Sequence, residues 1–244
     1  MTDLAALIRN RRSHRGVYDP RRRPPDEDVR AIIDAAQWAP TAHNMQNFEI
    51  VVIDDPAVLA EIGRVPSGVS AEFIRENYAQ LSFSEEELVA KGTGLAATMF
   101  PPAWRRPDSE PVGMDAPSEF EHGFLDLTMR SCPLVLIVVY DTRKRAPASE
   151  GDVLGLISLG CVLENMWLTA ESRGIGLQVM SVFSNTGVEE RLHKILSIPA
   201  RMKIAYACRL GYAGTEPDRY LRVRRPRERF VHHNSFRRHP APQR

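Results

Sequence analysis

The chain has 244 residues, 43% of them hydrophobic and 26% charged, with a net charge of +1. That size suits one large domain or two small ones, and the composition is that of an ordinary globular protein. No uninterrupted apolar run of the roughly 18 residues that a membrane span needs is present, and Met1-Thr2-Asp3-Leu4 lacks the charged-then-apolar pattern of a signal peptide. Cys132, Cys161 and Cys208 are an odd number, far apart and set in apolar runs. They read as buried free thiols and point to a reducing, cytoplasmic setting.

In chain order, Leu4, Leu7 and Ile8 have helical spacing and lead into a cationic cluster, Arg11-Arg12-Ser13-His14-Arg15. Pro24-Pro25-Asp26 opens a second helix, with Asp26 as N-cap, Val29, Ile32, Ile33 and Ala36 as its apolar face, and Pro40 as its stop. Phe48 to Ile53 reads as a strand closed by Asp54-Asp55-Pro56. Residues 57–100 read as mostly helical. Residues 101–120 hold five prolines and little periodicity, the mark of a lid or an irregular surface loop.

Leu134 to Tyr140 is a continuous apolar run, a strand covered on both faces. Residues 152–173 form a long central helix, apolar almost all round. Its small residues Gly155, Ser158, Gly160 and Cys161 suit close approach, including across a subunit interface. Gly174 and Gly176 end it. Leu177 to Val182 is a strand, Val188 to Leu196 a helix and Met202 to Leu210 a strand. From Tyr212 the chain is Arg-rich and short of core residues, and needs a surface to lie on. Helices and strands mix without a βαβ rhythm, which predicts an α+β fold around a central sheet.

The charge is unevenly placed. Residues 9–23 carry +6 and residues 219–244 carry +8, leaving −13 for the rest. Two solvated tails, a nucleic-acid surface, or two ends meeting around a small-molecule phosphate would each account for this. Exposed aromatics interleaved with the arginines are scarce, which weakens the nucleic-acid reading. Arg suits phosphate through its planar fork of donors. There is no G-x-G-x-x-G after a strand, no Walker loop, no G-x-S-x-G elbow, and no His or Cys set at zinc spacing. Without a nucleophile or a metal set, reactive chemistry would come from a bound cofactor.

Two motifs lie outside the core-forming runs: Arg11-Arg12-Ser13-x-Arg15, and Ala39-Pro40-Thr41-x-x-Asn44-x-Gln46 at the end of a helix. At this spacing they resemble the FMN-dependent nitroreductase superfamily, whose usual pattern is R-R-S-x-R followed by A-P-S-x-x-N-x-Q-P-W. The likeness continues through strand 134–140, the helix ending Arg173-Gly174-Ile175-Gly176, strand 177–182, Leu210-Gly211-Tyr212 and Arg222-Val223-Arg224-Arg225-Pro226. It leaves out 63–120 and the last dozen residues.

The resemblance implies a nitroreductase-like α+β fold, with a central mixed or antiparallel sheet flanked by helices and a C-terminal tail extending onto the partner subunit. It implies one FMN-binding domain over residues 1–244, with a variable substrate-pocket or lid segment at about 63–120 and a C-terminal extension at about 213–244. The protein would be a homodimer with FMN at the subunit interface. Arg11 would contact the FMN phosphate, joined by Arg222 and Arg224. Arg12 and Ser13 would reach the phosphate and ribityl chain, and Arg15 would sit near flavin N1 and the C2 carbonyl.

Thr41 stands where the family has Ser, and keeps the hydroxyl. Asn44 and Gln46 would lie by the ring, from the other subunit. Met180, Ser181 and Val182 would line one flavin face through their main chain. Two departures bear on substrate and subgroup: Asn47-Phe48 replaces Pro-Trp, and Val182 replaces a common Gly.

The activity implied is ping-pong, two-electron reduction of nitroaromatics, quinones or similar electron-poor acceptors, driven by NADH or NADPH. No catalytic side chain, metal, nucleic acid or membrane is called for. The rivals are a flavin-dependent dehydrogenase or desaturase that uses oxygen as acceptor, and a non-enzymatic nucleic-acid-binding protein with basic ends.

Overall fold

The computed structural model describes residues 3–67, 82–97, 119–147, 151–214 and 220–236. The helices are α1 (Leu4–Asn10), α2 (Asp26–Gln37), α3 (Pro56–Gly63), α4 (Glu85–Lys91), α5 (Glu119–Arg130), α6 (Val153–Ser172) and α7 (Thr186–Ile195). The strands are β1 (Phe48–Ile53), β2 (Ser82–Phe83), β3 (Leu95–Ala96), β4 (Leu134–Asp141), β5 (Gly176–Met180) and β6 (Met202–Gly211). The chain divides into two compact units. One is Met1–Ser67 with Phe120–Pro217, and the other is Gly68–Glu119 with Asp218–Arg244.

The first unit is built on a four-stranded sheet in the order β1-β4-β6-β5, with every neighbouring pair antiparallel. A single parallel bridge, Ser13 to Leu177, adds the N-terminal segment to the β5 edge. Successive residues of a strand face opposite sides of the sheet, and β4 is buried on both. Val135, Ile137 and Val139 join Leu59, Ile62, Leu125, Met129, Phe183 and Leu192 in one core layer. Leu134, Leu136 and Val138 join Ile32, Ala36, Val162 and Met166 from α2 and α6 in the other. The continuous apolar run thus marks a strand sandwiched between two helical layers.

The second unit pairs β2 with β3 in parallel. Phe83, Leu88 and Ala96 form a small core, with Tyr220 and Val223 packed on it. A capping box at Ser84 and Glu87 opens α4, and Gly92 closes it at φ +66°.

Several boundaries differ from expectation. Asp26 is not the N-cap of α2: Pro25 holds that position without a side-chain cap, and Asp26, Glu27 and Asp28 fill the first turn, where carboxylates suit the helix dipole. Asp26 pairs with Arg23 instead. The strand expected to reach Val182 ends at Met180, and Ser181–Ser184 forms a 3-10 turn. Helix α5 falls in a stretch for which no element was expected. Among the described residues of 57–100, where a mostly helical stretch is expected, the chain forms two short helices, α3 and α4, and two short strands; residues 68–81 and the proline-rich segment to residue 118 lie outside the described residues.

Helix α6 is long and apolar enough to cross a membrane, with a mean hydropathy of 1.5. One side of it joins α2 in the core. The other leaves Val153, Leu156 and Ile157 more than half exposed in the single chain, so it is not enclosed all round.

Candidate functional site

The arginine cluster is seated by α6 and the β5 edge. Helix α1 ends at Asn10, and Arg11 turns into extended backbone. The Arg11 guanidinium lies over the Trp167 ring, 4.1 Å from its centroid, and its Nε is 3.3 Å from a Glu164 carboxylate oxygen. Trp167 Nε1 donates to the Arg12 carbonyl at 3.2 Å. Glu164 and Trp167 are three apart and share a helix face. The His14 N–H then donates to the Leu177 carbonyl at 3.0 Å.

Tyr18 anchors the far end of this segment. It is fully buried, and its hydroxyl donates to the His14 carbonyl at 3.0 Å. Two glycines make its slot. A Cβ on Gly176 would lie 2.9 Å from Tyr18 Cε1 and 3.0 Å from His14 Cγ, and a Cβ on Gly211 would lie 3.1 Å from Tyr18 Cβ. The rings of His14 and Tyr18 stack at 5.2 Å. Burial pushes the Tyr18 phenol up. Burial, then the charge of Arg209, pulls His14 below its ordinary value.

Arg209 ties the segment to the sheet. It is 2% exposed and sits in β6. Its Nε donates to Gln178 Oε1 at 2.6 Å. Its Nη2 donates to the carbonyls of Arg15 at 3.0 Å and Gly16 at 2.7 Å. Its Cζ lies 4.7 Å from the Tyr18 ring centroid. No carboxylate pairs with it among the described residues; carbonyl oxygens, an amide oxygen, the Ser131 hydroxyl at 3.4 Å from Nη1 and a π face satisfy the buried cation.

The second motif forms a tight loop. His43, Asn44 and Gln46 all have positive φ, at 51°, 51° and 42°. This conformation is uncommon outside glycine, and a cluster of it stores strain of the kind found at binding sites. Thr41 Oγ1 accepts from the Gln46 N–H at 3.2 Å, and Gln46 Nε2 donates to Asn44 Oδ1 at 2.9 Å. The Ala42 N–H donates to Ser158 Oγ at 3.0 Å, which seats the loop on α6.

Both motifs therefore rest on one helix, at Ser158 and at Trp167. The separation is nine residues, or about 14 Å at 1.5 Å per residue. Arg11, Arg12, Ser13 and Arg15 form one group; Thr41, Asn44 and Gln46 form another.

Met180 is buried, with its side chain in the core, whereas Ser181 is exposed and Val182 partly buried. Arg222 and Arg224 belong to the second unit, where both are exposed. Asn47, at the family's Pro position, is 2% exposed, and both of its side-chain polar atoms are buried without a hydrogen-bond partner.

Sequence reasoning missed Trp167, Glu164, Ser158, Tyr18 and Arg209. Only Arg209 left a trace, as a lone charge inside the apolar strand Ala205-Tyr206-Ala207-Cys208-Arg209-Leu210.

The profile of the nitroreductase family matches residues 8–212. The chain belongs to the nitroreductase family. This nitroreductase-family chain is 22% identical over 226 residues to an NADPH-dependent oxidoreductase of Staphylococcus aureus strain USA300, covering 92% of this chain and 72% of that protein. Its fold is that of the FMN-dependent nitroreductase of Clostridium difficile R20291, with a TM-score of 0.59 at 16% identity over 96% of this chain and all of that one. Nitroreductase with bound FMN from Bacteroides fragilis NCTC 9343 gives 0.57 at 18% identity, again over 96% and 100%. Oxidised iodotyrosine deiodinase bound to FMN and 3-iodo-L-tyrosine gives 0.60 at 21% identity, over 96% and 100%.

Proposed function

We propose that this protein is a homodimeric FMN-dependent oxidoreductase that uses NADH or NADPH to reduce electron-poor acceptors such as nitroaromatics or quinones. The observation that carries the reading is the donor set itself: a cationic segment and a strained amide loop, each seated on α6, the first for the chain's own cofactor and the second for the partner's. The donor set fits FMN. Three guanidinium groups and a hydroxyl within five residues suit a phosphate. The amides of Asn44 and Gln46 offer both donors and acceptors to the edge of a planar ring. Bound there, FMN supplies the two-electron chemistry between reduced nicotinamide and the acceptor.

The chain's own residues bind and orient. Arg11, its plane set by Trp167, neutralises phosphate charge, with Arg12 and Ser13 beside it. Arg15 holds a positive charge toward the ring end. Ser181 and Val182 present main-chain N–H groups to the ring, since the Met180 side chain is committed to the core. In the dimer, the amide loop serves the cofactor bound to the partner. The exposed Val153, Leu156 and Ile157 of α6 support a second copy as their cover. Two of the three free thiols are buried, which suits a reducing compartment.

The test is a visible spectrum of the purified protein, followed by stepwise anaerobic addition of NADPH and NADH. A flavin band that bleaches with either nucleotide is the expected result. A colourless protein that takes up no added FMN refutes the cofactor. A flavin band that neither nucleotide bleaches refutes the reductase and leaves the dehydrogenase or desaturase reading.

A further inference from the structure

We propose that Arg209 is a positioning residue of the flavin site: its buried guanidinium fixes the backbone of Arg15 and Gly16 and so aims the Arg15 side chain at the cofactor ring. The inference rests on the FMN reading above.

The segment after Ser13 leaves the β5 edge once the His14 N–H has bonded to Leu177. Its next main-chain anchors are Val17, whose carbonyl accepts from the Gly214 N–H at 3.0 Å, and Tyr18, whose N–H donates to the Ser131 carbonyl at 3.2 Å. Arg15 and Gly16 are both exposed between these points, and Gly16 has nothing within 4 Å of where a Cβ would stand. Arg209 closes the gap from inside. One guanidinium nitrogen, Nη2, gathers two consecutive carbonyls, while Nε is held by Gln178 and the plane lies over Tyr18. Consecutive carbonyls that share one donor must point the same way, so the peptide between Arg15 and Gly16 has a fixed orientation.

Charge and geometry both matter here. The acceptors are neutral, so nothing nearby neutralises the cation by direct pairing, and a hydrogen bond from a charged donor is roughly twice as strong as a neutral one. A lysine could keep the charge but not the fork, since an ammonium cannot reach Gln178, two carbonyls and a ring face with one planar geometry. A guanidinium in this slot is a costly group to bury, and fold alone does not demand it, because an apolar residue would continue the β6 pattern. Holding the Arg15–Gly16 peptide is what a fork-shaped cation can do there and an apolar side chain cannot.

The experiment compares wild type with Arg209→Met and Arg209→Lys, at a temperature where circular dichroism shows each to be folded. Dissociation constants are measured for FMN and for riboflavin, which lacks the phosphate. Positioning of Arg15 predicts that Arg209→Met weakens both ligands by the same factor, about tenfold, with a smaller equal loss for Arg209→Lys. If both constants stay at wild-type values in the folded variants, the inference is wrong. If only FMN binding falls, Arg209 acts at the phosphate end and the inference is also wrong. Wild type that binds neither flavin overturns the FMN reading itself, which is a different failure.

Gln178→Met serves as the milder variant should Arg209→Met not fold. It removes one acceptor and leaves the cation in place, and the same equal weakening, smaller in size, is expected. Unchanged binding of both flavins by folded Gln178→Met and Arg209→Lys overturns the proposal.

Discussion

The slot around Tyr18 makes a quantitative prediction for Gly176→Ala. The added methyl would stand 2.9 Å from Tyr18 Cε1, 3.0 Å from His14 Cγ and 3.1 Å from His14 Cβ. Carbon atoms in contact prefer about 3.5–4.0 Å, so two rings must each retreat by roughly half an ångström or more. Neither can do so cheaply: Tyr18 is fully buried, pinned by its hydroxyl bond to the His14 carbonyl, and backed by Gly211. Overpacking of this kind costs about 1–3 kcal/mol. Loss of glycine's freedom in the unfolded chain returns about 0.4–1 kcal/mol. The net expectation is a destabilisation of about 1–2 kcal/mol, or a Tm lowered by roughly 2–8 °C for a protein of this size. Thermal unfolding followed by circular dichroism reads it. Gly187→Ala is the control: it lies in α7 with nothing within 4 Å of the new methyl, and should stabilise by about 0.5–1 kcal/mol. If Gly176→Ala matches or exceeds the wild-type Tm, the tight-slot reasoning fails.

Other expectations follow from the same geometry. Arg11→Ala should weaken FMN binding by about 1.5–3 kcal/mol, or roughly 10- to 150-fold, in a fluorescence titration; an unchanged dissociation constant would return Arg11 to a purely structural role on Trp167. Ile157→Asp places a charge on an exposed apolar face and should convert the proposed dimer to a folded monomer in sedimentation; a dimer that persists would exclude this face as the interface. His14 gives a pH signature. Its pKa is lowered on folding, so on acidification through about 6.5 the unfolded chain takes the proton first. The stability it contributes is therefore complete above that range and declines as pH falls toward the folded value. Urea denaturation across pH 7.5 to 5 should show this slope, and His14→Phe should reduce it.

Much of the scaffold was legible because its signals are local. The apolar runs at 134–140 and 202–210 mark β4 and β6, and the helix from 153 to 172 follows from its length and its glycine stop. The two motifs were legible as types of donor at a spacing. What joins them was not. Arg209 reaches carbonyls 194 and 193 positions away, and Trp167 reaches Arg12 across 155; contacts of that range leave no periodicity to read. Gly176 was legible only as a helix stop, although the space it leaves for Tyr18 and His14 is the tighter constraint. Ser181 and Val182 continue the strand pattern in sequence, yet the chain turns there because Phe183 is drawn into the core, fully buried.

Helix α6 also sets a length standard for the protein. Ser158 receives one motif and Trp167 the other, so their spacing is written into the pitch of a single rigid rod rather than into the loops between them. The stretch from Asp19 to Pro25 can change length without altering that spacing. One residue added to α6 between 158 and 167 would turn the two contact points by about 100° and move them apart by about 1.5 Å. An insertion in this rod would thus disturb the spacing of both motifs at once, although no atom of it needs to touch the flavin.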